Sequence, residues 1–154
     1  MMRLVKLFGG AVLAVILTSA IVFAHGGATG IVKKRMDAME AIGGNMKLAG
    51  QMLRGQKPYD AAALRQAAET IAENAGEKLT RLFPEGSLMP PTEARPEIWQ
   101  DWDKFAGFSN DMKAAASELA IKAGEGAEKG AVAAAFSKLA QTCKACHEAF
   151  RIEK

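Results

Sequence analysis

Between Ala28 and Arg151 the apolar residues fall into four stretches in which they recur at steps of three and four, with no strand-like run of β-branched residues among them. That period lines one side of a helix, whereas a half-buried strand would alternate at every residue. The first stretch, about residues 28 to 54, aligns Val32, Arg35, Met39, Ile42, Met46, Ala49 and Leu53, a heptad-like stripe with one charge embedded in it. The second, Ala61 to Phe83, aligns Leu64, Ala68, Ile71, Ala75, Leu79 and Leu82. The third, about 96 to 123, aligns Ile98, Trp102, Phe105, Phe108, Met112, Ala116 and Leu119. The fourth, about 131 to 151, aligns Val132, Phe136, Leu139, Cys143, Cys146 and Phe150, which puts both cysteines of the chain on a buried stripe.

The breaks between stretches carry ordinary stop and start chemistry. Gly55 and Pro58 end the first, and Asp60 is a good N-cap for the second. Residues 84 to 95, rich in proline and glycine, cannot continue a helix and form the one long loop. Pro96 suits the first turn of the third helix, and Gly124 to Gly130 separates the last two. Four amphipathic helices of around twenty residues, each about 30 Å long, predict an all-α antiparallel four-helix bundle. Such bundles build cofactor sites from side chains that face one another across the core.

Residues 1–24 read as a cleaved signal peptide: Arg3 and Lys6 precede an apolar stretch from Leu7 to Phe23, and Val22-Phe23-Ala24 resembles a peptidase site. The competing reading is an uncleaved anchor, because the stretch approaches the roughly 20 residues that span a bilayer. Either way the domain, residues 25–154, is exported, and a bacterial periplasmic location is expected. The whole chain has 20 basic and 17 acidic residues; without Arg3 and Lys6 the balance is 18 to 17 and the net charge +1. The basicity is thus partly a property of the leader, and no clustered basic face argues for nucleic acid.

The densest chemistry lies in Cys143-Lys144-Ala145-Cys146-His147, which has the C-x-x-C-H spacing of covalent haem attachment. Two thiols must reach the two vinyl groups of one porphyrin while the adjacent imidazole comes up beneath the ring centre as an axial iron ligand. On a helix, residues 143, 146 and 147 share a face. A structural zinc site would need further cysteine, histidine or carboxylate ligands, and His25 is the only other histidine after the leader. A redox dithiol belongs at a helix N-terminus in an α/β fold. A plain disulfide is permitted in an exported chain but leaves His147 unaccounted for. One covalent haem c, with its iron, is the expectation.

With a haem motif in the last of four helices, the chain resembles the class II c-type cytochromes, meaning cytochrome c′ and its low-spin relatives of the cytochrome c-556 type. Gly55-Gln56-Lys57-Pro58-Tyr59-Asp60-Ala61-Ala62 looks like that family's connection between the first two helices. Ala94-Arg95-Pro96-Glu97-Ile98-Trp99 looks like its entry into the third. The resemblance implies, for the c′ branch, a homodimer with five-coordinate iron that binds nitric oxide or carbon monoxide. For the c-556 branch it implies a methionine on the distal side. Counting four residues from the arginine that the family commonly carries in the first helix, here Arg35, that position is Met39, which implies six-coordinate His/Met iron.

The residues alone leave alternatives. Met39 could be core filler, since a thioether packs irregular gaps well. Arg35 could snorkel to water or pair with a haem propionate, and an arginine within an apolar stripe is costly without an anion. Met36 could touch the haem edge or simply pack. Met46, Met52, Met89 and Met112 are less suitable iron ligands, and Trp99, Trp102, Phe105 and Phe108 read as core or pocket wall. Lys144 and Lys154 form either a docking surface or a solvated face. The function expected is single-electron transfer, without enzymatic activity, between unidentified redox partner proteins; gas binding at an open sixth site is the alternative. A homodimer is compatible with the resemblance, while small apolar residues on the first two helices serve a monomer's core equally well.

Overall fold

The computed structural model describes residues 27–124 and 127–153. The leader, His25 and Lys154 lie outside the described residues. Among the described residues six helices succeed one another: α1 (Gly30–Leu53), α2 (Ala61–Asn74), α3 (Glu77–Thr80), α4 (Glu97–Gln100), α5 (Trp102–Gly124) and α6 (Lys129–Phe150). Among the described residues there is no strand, only an isolated antiparallel bridge between Ala94 and Arg151. No helix among them is long and apolar enough to cross a membrane.

The long helices α1, α2, α5 and α6 form the antiparallel four-helix bundle. Cross-helix contacts fix the directions. Ser109 Oγ on α5 donates to the Gly76 carbonyl just beyond α2 at 3.1 Å, whereas Arg65 at the other end of α2 lies against Gly124. Lys138 Nζ on α6 reaches Glu118 on α5 at 2.7 Å, and Phe150 at the end of α6 meets Phe105 near the start of α5 edge to face. Leu64, Ile71, Leu119, Val132 and Leu139 are fully buried between the helices. Each such aliphatic side chain contributes roughly 1.5–3 kcal/mol relative to exposure.

Two of the expected helices are interrupted. The second stops at Asn74, because Gly76 adopts a positive φ of 66° and its N–H donates to Ser109 O at 3.1 Å; the chain resumes as the single turn α3. The third begins as the single turn α4 and restarts at Trp102 after Asp101 leaves helical geometry. That restart turns Trp102 outward, 39% exposed, against the expectation that it faces the core; one side of its ring still meets Phe105 at 5.6 Å. Asp60 caps α2 as its sequence implies, its carboxylate accepting from Ala63 N at 3.0 Å.

Candidate haem site

Helix propagation alone places Cys143, Cys146 and His147 on one stretch of α6, one turn before the helix ends. Both cysteines are half-buried against the core, and both thiols are free. Cys143 Sγ donates to the Leu139 carbonyl at 3.6 Å. Burial pushes both thiols above their ordinary range, and with Cys143 nearby Cys146 rises to about 11. A dithiol oxidoreductase needs the opposite, a thiol whose pKa is depressed. His147 is exposed as a residue, yet enough protein surrounds its ring to hold the pKa below the usual imidazole value, helped by Arg151 and opposed by Glu93. The neutral form that iron requires is therefore the favoured one. Among the described residues no three His, Cys, Asp or Glu side chains converge as a metal site.

On α1, Arg35 is buried, 4% exposed, in keeping with its place on the apolar stripe. Its guanidinium lies over the Phe83 ring, 4.7 Å from the centroid. Nη2 donates to the carbonyl of Ser87 and, at 3.2 Å, to Ser87 Oγ. Nε and Nη1 are buried without an acceptor, and burial lowers the pKa of the group. Buried N–H groups on a cation call for an anionic oxygen, so this arginine fits a carboxylate-bearing ligand such as haem. From Phe83 a run of edge-on aromatic contacts crosses the same end of the bundle: Phe83 to Phe105 at 4.9 Å, then Phe105 to Phe150 at 5.6 Å.

Helix register relates the two sides. α1 and α6 touch less than the other neighbouring pairs of long helices, but they approach closely at Gly50, where an added Cβ would stand 3.2 Å from Phe136 Cζ. Met39 lies eleven residues before Gly50, and His147 eleven residues after Phe136. In antiparallel helices rising 1.5 Å per residue, both therefore sit about 16 Å along the axis from that contact, at one level. Met39 is half-buried and packs against the same core as the two cysteines; Met36 is half-buried one position beyond Arg35.

The segment between α3 and α4 closes this end of the bundle. Beyond Ser87 on Arg35, Glu93 Oε2 accepts from Arg151 Nε and Nη2 at 2.8 and 2.6 Å. Backbone bonds join Arg95 N to Phe150 O and Ile152 N to Glu93 O. Trp99 Nε1 donates to Phe83 O at 3.0 Å. Phe83, Ser87, Glu93 and Arg151 belong to this end of the bundle without any motif in the sequence that marks them as site residues. Arg151 was findable, being one turn beyond His147, whereas Ser87 and Glu93 lie in an aperiodic loop without any such signal. A surface groove of about 590 Å³, lined by Lys78, Arg81 and Lys113 among others, lies between α2, α3 and α5, away from the cysteines.

A four-helix bundle with a C-x-x-C-H motif at the end of its last helix defines a c-type cytochrome. The cytochrome C′ family model matches residues 30–151, and the chain belongs to that family. It is 38% identical to a cytochrome c-556 of Agrobacterium tumefaciens (strain II Chrys), over 81% of this chain and 99% of that one. It is also 38% identical to a cytochrome c′ of Pararhodospirillum photometricum, over 78% of this chain and 94% of the other. The solved cytochrome c prime from Shewanella frigidimarina superposes with a TM-score of 0.73 at 30% identity, covering 80% and 94% of the two chains. The family carries covalent haem c with its iron and consists of haem electron carriers.

Proposed function

We propose that the protein is an exported, periplasmic one-electron carrier whose haem is attached through Cys143 and Cys146, with His147 and Met39 as the axial iron ligands. The observation that carries the reading is the common level of Met39 and His147 on antiparallel α1 and α6. When bound, the haem supplies the ferric–ferrous couple, and methionine ligation favours its reduced form. The polypeptide supplies the rest. His147, held below its usual pKa, offers a neutral ring nitrogen. Arg35 presents its unpaired Nε and Nη1 to a propionate. The Phe83, Phe105 and Phe150 rings exclude water from that end of the core. Met36 packs beside the haem edge.

Redox partner proteins are the expected interaction partners, and electron transfer requires no substrate. The experiment is an absorption spectrum of the oxidised and reduced holoprotein. A low-spin ferric spectrum with a methionine-to-iron charge-transfer band, lost in Met39→Leu, is the expected result. A high-spin spectrum that Met39→Leu leaves unchanged would remove Met39 from the iron.

A second reading, binding of a small gas at an open sixth position, draws support from structural neighbours. A cytochrome c prime from Alcaligenes xylosoxidans, 28% identical with a TM-score of 0.71, was solved as the nitric oxide complex of an L16I mutant. Ready conversion of the ferrous spectrum by carbon monoxide in the unsubstituted protein distinguishes this reading from the first.

A further inference from the structure

We propose that Ser87 is a positioning residue for the haem carboxylate, fixing one arm of Arg35 so that the remaining donors face a propionate. The inference deepens the reading of Arg35 given above and rests on it.

Arginine has a long side chain with much rotamer freedom, and α1 anchors only its Cα. At Arg35 two constraints from outside α1 remove that freedom. The Phe83 ring, following α3, fixes the plane of the guanidinium at 4.7 Å. Ser87, four residues further on, fixes its rotation within that plane, because Nη2 meets both the backbone carbonyl and, at 3.2 Å, Oγ. A carbonyl is available at any residue in this place; the second acceptor exists because the residue is serine. Both acceptors engage the same nitrogen, so all the N–H groups on Nε and Nη1 stay unspent. Among the described residues no carboxylate pairs with this buried cation, and its pKa is shifted by burial alone. Ser87 is neutral and cannot compensate the charge. It orients the arginine and leaves charge compensation to the ligand.

A positive charge held at fixed distance from the iron favours the less positive, ferrous state. Ser87→Ala keeps the carbonyl and deletes Oγ, so Arg35 gains rotational freedom and its field at the iron weakens. The test measures the midpoint potential and the propionate vibrations in the resonance Raman spectrum of the holoprotein. The variants are Ser87→Ala, Ser87→Thr, Arg35→Leu and the Ser87→Ala/Arg35→Leu pair, with Arg35→Gln replacing Arg35→Leu where that variant fails to assemble.

The expected result is a lowered potential and shifted propionate modes in Ser87→Ala, smaller than in Arg35→Leu and restored in Ser87→Thr. Adding Ser87→Ala to Arg35→Leu should change neither readout, as a residue that acts only through Arg35 requires. An unaltered potential in Ser87→Ala, or an equal shift with and without Arg35, overturns the role of Ser87 while leaving that of Arg35 intact. Unaltered potential and propionate modes in Arg35→Leu overturn the propionate reading itself.

Discussion

At residue scale the two cysteines are set up as quiet thiols rather than reactive ones. In a chain whose haem has not been attached, Cys146 with a pKa of about 11 against an ordinary 9 would carry roughly 100-fold less thiolate near neutral pH than an unfolded peptide. Iodoacetamide should therefore modify Cys146 in the folded, unattached chain roughly that much more slowly than in the urea-unfolded chain, as peptide mapping would show, and equal rates at Cys146 would contradict its burial. The linkage has a definite sign: the native state holds its thiol proton to higher pH than the unfolded one. Its contribution to the stability of the unattached chain is complete below about pH 9 and is lost as pH rises through about 11, as denaturant midpoints across that range would reveal. One turn earlier, Leu139 is fully buried and its carbonyl accepts from both Thr142 Oγ1 and Cys143 Sγ. Leu139→Ala should cost about 2–5 kcal/mol in urea unfolding of the holoprotein.

At the scale of elements, the break after α2 is the departure from regular helix with the clearest cause. Gly76 combines φ 66° with ψ −141°, a region open essentially to glycine, and an added Cβ would stand 3.0 Å from Lys113 Cδ. Gly76→Ala should destabilise the protein by about 1–3 kcal/mol, read from the denaturant midpoint, while Asp60→Ala at the cap of α2 should cost about 1 kcal/mol. The apolar period gave the four long helices because burial of one stripe is what holds them. It could not reveal Gly76, whose turn depends on a partner, Ser109, thirty-three residues away. The same division holds at the site. Cys143, Cys146 and His147 announce themselves by spacing, and Arg35 by being a charge on an apolar stripe. Ser87 and Glu93 act from a loop whose conformation is decided by what it touches, so no local pattern marks them.

At the scale of the whole molecule, the ligands proposed for the two sides of the iron belong to different halves of the chain. Met39 and Arg35 lie before the segment that follows α3, and Cys143, Cys146 and His147 lie after it. Two of its side-chain clasps are internal to one half: Ser87 grips Arg35, and Glu93 grips Arg151. Met89, 60% exposed, lies between those clasps. The halves are held together by, among other contacts, the broad packing of α2 on α5, the paired Gly76–Ser109 bonds, the bond from Trp99 to Phe83, and the approach of Gly50 to Phe136. The protein is in this sense a natural split pair. Severed at an engineered protease site at Met89, the holoprotein should still elute as one species with an unchanged spectrum and part into two peptides only in denaturant. The two pieces, made separately, should then restore one haem environment on mixing, which would make the chain a reporter of whatever brings its halves together.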